Sequence, residues 1–151
     1  MLKMPVLRRV GSNMPLLFDS DYEYLKETGQ DYVEDEATRF LILRGFPLPA
    51  GVYKVGDAAC TALDVLYIVP ANYNTEGGDM FWTSCKLERV DGVAIPNISG
   101  PAEDSRTFSG VEYLRWSRHW NNKPWRPKVD NIEQIVSRLT WAFANPDAKR
   151  V

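Results

Sequence analysis

The sequence predicts an α+β fold, and three observations support this. Near the C-terminus, apolar residues recur at the spacing of one helix face: Ile132, Ile135, Val136, Leu139 and Phe143. Upstream, three apolar or alternating stretches are separated by turn residues with no helix between them, which indicates an antiparallel β-meander. The length of 151 residues, with 44% hydrophobic and 25% charged residues, is typical of one globular domain.

The N-terminal part of the chain combines a basic segment with a short acidic helix. Residues 1–15 contain basic and small residues without a sustained period, so we expect a flexible arm. Residues 19–28 are predicted to form a helix, because their start is rich in Asp and Glu and Gly29 is a suitable stop. Residues 30–37 are acidic and are expected to be exposed.

The predicted strands are residues 39–46, 61–69 and 79–87. Pro47 and Gly51 stand in the turn that ends the first strand. The second half of residues 61–69 is apolar on both faces, which is typical of a strand inside a sheet that other elements cover.

Irregular segments and one helix complete the chain. Residues 88–110 are predicted to be a long irregular loop, and residues 121–128 a proline-rich connector. Asp130 followed by Glu133 predicts a capping box at the start of the C-terminal helix, and Asn145-Pro146 ends it.

Charge and cysteine content exclude several classes of function. The net charge of −2 gives a nucleic-acid partner no electrostatic support. A single histidine and two cysteines do not match the common Cys/His zinc sites, and the acidic run 34–36 is better explained as a solvated loop than as a metal site. No stretch has the apolar length of a membrane span or of a signal peptide, so the sequence predicts a soluble protein of the reducing cytoplasm.

The strongest candidate site is the segment Arg115-Trp116-Ser117-Arg118-His119-Trp120. His119 is the only histidine, so any chemistry that needs an imidazole must use it. In a strand, Ser117 and His119 would share one face. By spacing alone, however, a surface serine beside a structural histidine is the commoner explanation.

Other candidates have ordinary explanations that outweigh the functional ones. Trp116, Trp120, Trp125 and Trp141 are more typical of a packed aromatic cluster than of a platform for nucleic-acid bases. Cys60 and Cys85 have no neighbouring base or helix N-terminus that would activate a thiol.

The order of elements and several short motifs resemble the ubiquitin-conjugating (E2, UBC) fold, and in particular the bacterial family called prokaryotic E2 family E. The matching residues cover most of the chain: Phe46-Pro47-Leu48-Pro49, Ile68-Val69-Pro70 with Tyr73, Asp79-Met80-Phe81-Trp82, Arg115-Trp116-Ser117-Arg118-His119-Trp120 and Trp125-Arg126-Pro127. The resemblance implies a single E2/UBC-like domain over residues 16–151, with an antiparallel β-meander packed against helices.

In E2 enzymes the catalytic cysteine precedes a Trp-x-Pro element by eight positions. Eight positions before Trp125 stands Ser117, whereas Cys60 and Cys85 both lie upstream on the meander. The His-Pro-Asn motif of standard E2s, whose Asn supports the oxyanion, is absent, and Asn97 of Pro96-Asn97 is a substitute for it. These departures argue against ordinary thioester chemistry.

The resemblance therefore implies two alternative functions. In the first, the chain is a transferase of the E2 type: Ser117 accepts the C-terminus of a ubiquitin-like protein as an oxyester and passes it to a target, with His119 as base and Arg115 or Arg118 stabilising the oxyanion. Trp116, Trp120 and Trp125 would support this site. In the second, the chain is a catalytically inactive E2 variant that binds a ubiquitin-like protein or an E1 as a scaffold.

The implied partners follow from the same resemblance. They are an E1-like (ThiF-type) adenylating enzyme, a ubiquitin-like or multi-ubiquitin protein, and a JAB-type protease in the same pathway. The chain itself is expected to need no cofactor and no metal, because ATP would be used by the E1-like partner.

Overall fold

The computed structural model describes residues 14–148. These residues form two helices and nine strands. The helices are α1 (Asp19–Thr28) and α2 (Ile132–Ala144). The strands are β1 (Tyr32–Asp35), β2 (Phe40–Pro47), β3 (Tyr53–Val55), β4 (Ala58–Cys60), β5 (Ala62–Ile68), β6 (Met80–Thr83), β7 (Glu88–Arg89), β8 (Arg106–Phe108) and β9 (Val111–Ser117). The predicted α+β class is confirmed.

Six strands form one antiparallel sheet in the order β1-β2-β5-β6-β9-β8. A small sheet of three strands, β4-β3-β7, is inserted beside it. The Tyr53 hydroxyl joins the small sheet to the C-terminal helix by donating a 2.6 Å hydrogen bond to the carbonyl oxygen of Phe143. Burial raises the pKa of Tyr53 to about 12, so this donor stays protonated at neutral pH.

Both faces of the large sheet are covered by apolar side chains. Leu63, Val65 and Tyr67 of β5 join the main core, which also includes apolar side chains from both helices. Leu66 of the same strand belongs to a second cluster on the opposite face, with Phe40, Ile42, Trp82 and Tyr113. The prediction of an inner strand with two apolar faces is therefore confirmed, because β5 lies between β2 and β6.

Several local predictions were wrong. Residues 30–37 are not simply an exposed acidic segment, since β1 lies within them and all its residues are half-buried. The hairpin of β3 and β4 separates β2 from β5, so these neighbours are not joined by a single turn. The loop 88–110 contains β7 and β8, and the strand predicted at 79–87 is confined to Met80–Thr83. Short strands at sheet edges carry weak sequence signals, since their pairing is decided by neighbours far along the chain.

The two helices confirm the predicted segments, with one correction. Helix α1 ends at Gly29, whose φ of 73° is the left-handed conformation that glycine adopts without strain. Helix α2 begins one residue later than the predicted box: Asn131 and Gln134 form the capping box in place of Asp130 and Glu133. Asp130 is unavailable because its carboxylate binds the backbone N–H and the guanidinium of Arg126.

Asp21 joins the starts of both helices. Its buried carboxylate accepts hydrogen bonds from the backbone N–H of Phe18 (2.9 Å), the Tyr73 hydroxyl (3.0 Å) and the backbone N–H of Ile132 (3.2 Å). Nearby, Leu16 and Leu17 are buried in the main core, whereas residues 1–13 of the predicted arm lie outside the described part of the chain.

Across the described range, 14–148, no helix is both long enough and apolar enough to cross a lipid bilayer.

Replacing Asp21 by Ala is expected to destabilise the fold by about 3 kcal/mol, because three donors lose a buried, charged acceptor. The free energy of unfolding, measured by urea titration, checks this. Asp19→Ala is the matched control: it lies in the same first helical turn but is exposed, so its loss should cost less than about 1 kcal/mol. Equal losses in the two variants would contradict the role assigned to Asp21.

Candidate functional site

The candidate segment forms the end of β9 and the residues that follow it. Burial alternates along it: Trp116, Arg118 and Trp120 are buried, whereas Ser117 and His119 are partly exposed between them. This two-residue period is that of an extended chain, and it places Ser117 and His119 on the face opposite the core. The expectation that the two side chains share a face is thus supported by the burial pattern.

Ser117 is held by backbone pairing on both sides. Its Cα lies opposite Met80 of β6, and its N–H donates a 3.0 Å hydrogen bond to the carbonyl oxygen of Asn97. The side chain is partly exposed, and within residues 14–148 its hydroxyl makes no hydrogen bond. A fixed backbone therefore presents an available hydroxyl.

Asn97, the residue that accepts this hydrogen bond from the Ser117 N–H, belongs to the loop 88–110. It is exposed, and its φ of 56° places it in the left-handed region, where asparagine is among the better tolerated residues. The following residue, Ile98, forms a β-bridge with Trp116. The loop thus pairs with the end of β9 through its backbone, with Asn97 opposite Ser117.

His119 lies beside a carboxylate that the sequence did not single out as a site residue. Its Nδ1 is 3.6 Å from Oδ2 of Asp79, and the two side chains are 44% and 45% exposed. Asp79 directly precedes Met80, the partner of Ser117, and its carbonyl oxygen accepts a 3.2 Å hydrogen bond from the N–H of Arg118. No hydrogen bond joins Ser117 to His119. In an extended chain, residues two apart are separated by about 6.6 Å along the strand.

The two arginines of the segment differ in their surroundings. Arg118 is 1% exposed, and its guanidinium donates to the carbonyl oxygens of Pro96 (3.0 Å), Ser117 (2.8 Å) and Pro146 (3.4 Å). It also lies 4.8 Å from the centre of the Trp116 ring, and its burial lowers its pKa. Arg118 is therefore a buried residue that binds the backbone around Ser117, and its guanidinium does not lie on the exposed face.

Arg115 lies on the same side of β9 as Ser117, but its guanidinium is occupied. It pairs with the Asp104 carboxylate at 2.9 Å and donates to the Ser99 hydroxyl at 3.1 Å. These contacts hold the long loop against β9.

Each predicted supporting tryptophan has a structural role. Trp116 lies in the core, 5.1 Å from the Phe143 ring centre and 5.4 Å from that of Phe81. The Trp120 ring meets Trp141 edge to face at 6.0 Å. Trp125 donates from Nε1 to the carbonyl oxygen of Asn74 at 2.9 Å, and its ring leaves no room for a Cβ at Gly77.

The cysteines do not belong to this site. Cys60 ends β4, and Cys85 follows β6. Burial raises the pKa of the Cys85 thiol, with the neighbouring Cys60 adding to the effect, which is the opposite of what a nucleophilic thiol needs. In residues 14–148 no cluster of His, Cys, Asp or Glu is placed to hold a metal ion.

Two residues beside the site went unassigned in the sequence: Asp79 and Arg138. Arg138 of α2 lies 3.9 Å from Oδ1 of Asp79 and 5.0 Å from the centre of the Trp120 ring. Asp79 is the first residue of the motif Asp79-Met80-Phe81-Trp82. Arg138 is one of the polar residues of the amphipathic C-terminal helix. Neither feature of the sequence predicts that the two side chains lie close together, because that depends on how β6 and α2 are placed in the fold.

Replacing Arg118 by Met is expected to destabilise the fold by about 2–4 kcal/mol, because three carbonyl oxygens lose their donor and a buried cation–π contact disappears. Urea denaturation measures the change. Arg44→Met is the control, since Arg44 is exposed and its 3.7 Å pair with Asp31 is worth less than about 1 kcal/mol. A wild-type stability in Arg118→Met would refute the structural role.

The comparison with protein families identifies the chain. No curated protein and no solved structure matches it. The UBC-like architecture therefore stays a prediction, whereas a family model described as prokaryotic E2 family E matches residues 17–146. That match spans nearly all the described residues and includes the whole candidate site. The chain belongs to prokaryotic E2 family E, a family whose membership indicates a role in ubiquitin-like conjugation.

Proposed function

We propose that the chain is an E2-like carrier that accepts the C-terminus of a ubiquitin-like protein on Ser117 as an oxyester and transfers it to a target. The single observation that carries this proposal is the Ser117 hydroxyl, which is partly exposed, unengaged within residues 14–148 and held at the end of a strand of fixed register. Family membership supports the conjugation role in general.

The acceptance step needs a base, because a serine hydroxyl is hardly ionised near neutral pH. Oγ of Ser117 forms a bond to the activated carbonyl carbon, and the bond from that carbon to the leaving group on the E1-like enzyme breaks. The hydroxyl proton passes to His119, the only imidazole in the chain. Since no hydrogen bond joins Oγ to the ring, the proposed transfer runs through one bridging water.

The tetrahedral intermediate places negative charge on the carbonyl oxygen. Asn97 is the candidate donor, since its backbone carbonyl oxygen is bonded to the Ser117 N–H and the residue is exposed. Arg115 contributes positive charge from the same side of β9 while bound to Asp104. Arg118 acts indirectly: its guanidinium donates a hydrogen bond to the carbonyl oxygen of Ser117 and holds the backbone of the nucleophile in place.

The same scheme defines the partners. The donor is an E1-like enzyme of the ThiF type, which uses ATP, so this chain needs no cofactor of its own. The cargo is a ubiquitin-like or multi-ubiquitin protein, and a JAB-type protease would process or remove it in the same pathway. An oxyester is less reactive toward amines than a thioester, so transfer to the target requires further help from the site.

With an E1-like enzyme, a ubiquitin-like protein and ATP, the wild-type chain is expected to form an adduct on denaturing gels. The adduct should survive thiol reductant, be cleaved by hydroxylamine or mild base, and be absent from Ser117→Ala, because an oxyester has no thioester bond to reduce. The double variant Cys60→Ala/Cys85→Ala is the control and should keep the adduct. An adduct that persists in Ser117→Ala but is lost when Cys85 is replaced by Ala would disprove the assignment of Ser117 as the attachment point. No adduct, together with a stable complex, would favour the scaffold alternative.

Replacing Ser117 by Cys is expected to convert the adduct to a thioester that thiol reductant cleaves, since the new thiol occupies the same position with a lower pKa than a hydroxyl. Formation should also become less dependent on the base, so His119→Ala should slow Ser117→Cys less than it slows the wild type. Quenched gels with and without reductant measure both effects. An equal loss in the two backgrounds would mean that His119 does not act on the nucleophile.

A further inference from the structure

We propose that Asp79 is a positioning residue for His119 and that Arg138 holds the Asp79 carboxylate in place. The proposal rests on the proposed function, because it assigns a task within the Ser117 site. It extends that site to the residue that precedes β6 and to α2, both outside the segment around Ser117.

The backbone places Asp79 at the site. Its carbonyl oxygen binds the Arg118 N–H at 3.2 Å, and the next residue, Met80, is paired with Ser117. The same strand pairing that presents the nucleophile therefore brings the Asp79 carboxylate to the imidazole, with Oδ2 3.6 Å from Nδ1.

The contact between Asp79 and His119 affects which nitrogen of the neutral imidazole carries the proton. One ring nitrogen carries a proton and the other holds a lone pair, and the neighbour of one nitrogen selects the tautomer. A carboxylate beside Nδ1 favours the proton there, which leaves the Nε2 lone pair to accept the proton of Ser117. When Nε2 takes that proton, the Asp79 charge stabilises the imidazolium, and the carboxylate itself stays ionised.

Arg138 engages the other oxygen of the same carboxylate. Its Nη1 lies 3.9 Å from Oδ1, and its side chain is 12% exposed. The guanidinium is near the rings of Trp120 (5.0 Å) and Trp125 (5.6 Å), and it donates a 2.8 Å hydrogen bond to the carbonyl oxygen of Lys123. A cation fixed by two rings and a carbonyl is a firmer anchor than a mobile surface charge.

The helix behind Arg138 adds to this rigidity. Leu139, the next residue of α2, is buried in the main core, and Ile135 of the preceding turn is buried beside it. Tyr67, whose hydroxyl accepts the Gly78 N–H at 2.7 Å, fixes the chain just before Asp79. The two carboxylate oxygens thus have separate partners: Oδ1 faces Arg138, and Oδ2 is left for His119.

A purely structural ion pair is the competing explanation, and the single histidine allows a direct test. With ¹⁵N-labelled histidine, the nitrogen shifts of the whole protein report one imidazole only. In its neutral form, the wild-type ring should show the Nδ1–H tautomer. Asp79→Ala should move the population toward Nε2–H, and Arg138→Gln should move it part of the way. A wild-type ring in the Nε2–H form, or no change in Asp79→Ala, would overturn the proposal.

Arg89→Gln is the matched control for loss of a poorly exposed arginine. The Arg89 side chain is 14% exposed and pairs with Asp91 and Asp147, whereas His119 pairs with Asp79. This variant should lose some stability but keep the wild-type tautomer. A tautomer change in Arg89→Gln equal to that in Arg138→Gln would assign the effect to general loosening and refute the role of Arg138.

The adduct assay supplies a second, separate readout. Asp79→Ala should slow adduct formation by about 10- to 100-fold, which is less than the ~100- to 10,000-fold that a general base itself contributes, because His119 remains in place; Asp79→Glu should recover part of the rate. A wild-type rate in Asp79→Ala would overturn the proposal even if the tautomer changes. If the wild type forms no adduct, the proposed function fails, while the nitrogen shifts still decide whether Asp79 orients His119.

Discussion

The inward packing of Trp116 is the constraint on which the site depends. Its ring lies between Phe81 and Phe143, so β9 cannot rotate or slip by one residue without exposing a large apolar side chain. Because side chains alternate along an extended chain, this single anchor places Ser117 and His119 on the accessible face. The core of the protein thereby determines the exposure of the proposed nucleophile.

Two arginines, Arg118 buried and Arg138 partly buried, give this arrangement its rigidity in different ways. Arg118 binds three carbonyl oxygens beneath the strand end and ties β9 to the long loop and to the chain after α2. Arg138 is held near two tryptophan rings and faces a carboxylate at the edge of the site. Burial lowers the pKa of both groups, yet their reference values are so high that both remain charged at neutral pH.

The proposal that Ser117 takes the place of the usual E2 cysteine changes what its surroundings must supply. A thiolate forms readily near neutral pH, whereas a hydroxyl needs a base at the moment of attack. The chain has one imidazole, and it lies on the face that Ser117 occupies, next to a carboxylate. The two cysteines offer no substitute: burial raises the pKa of Cys85, and neither lies on β9, since Cys60 ends β4 and Cys85 follows β6.

The sequence by itself determined both helices, the inner strand β5 and the segment that carries Ser117 and His119, because these features rest on local periodicity and on a contiguous motif. It did not determine β1, the β3–β4 hairpin or the start of α2: Asp130 fits a capping pattern but is bound by Arg126, so Asn131 caps the helix instead. Only the tertiary structure decided that Arg118 is buried and that Asp79 lies close to both His119 and Arg138. Those contacts depend on strand register and helix packing, which join residues far apart in the chain and leave no local pattern to read.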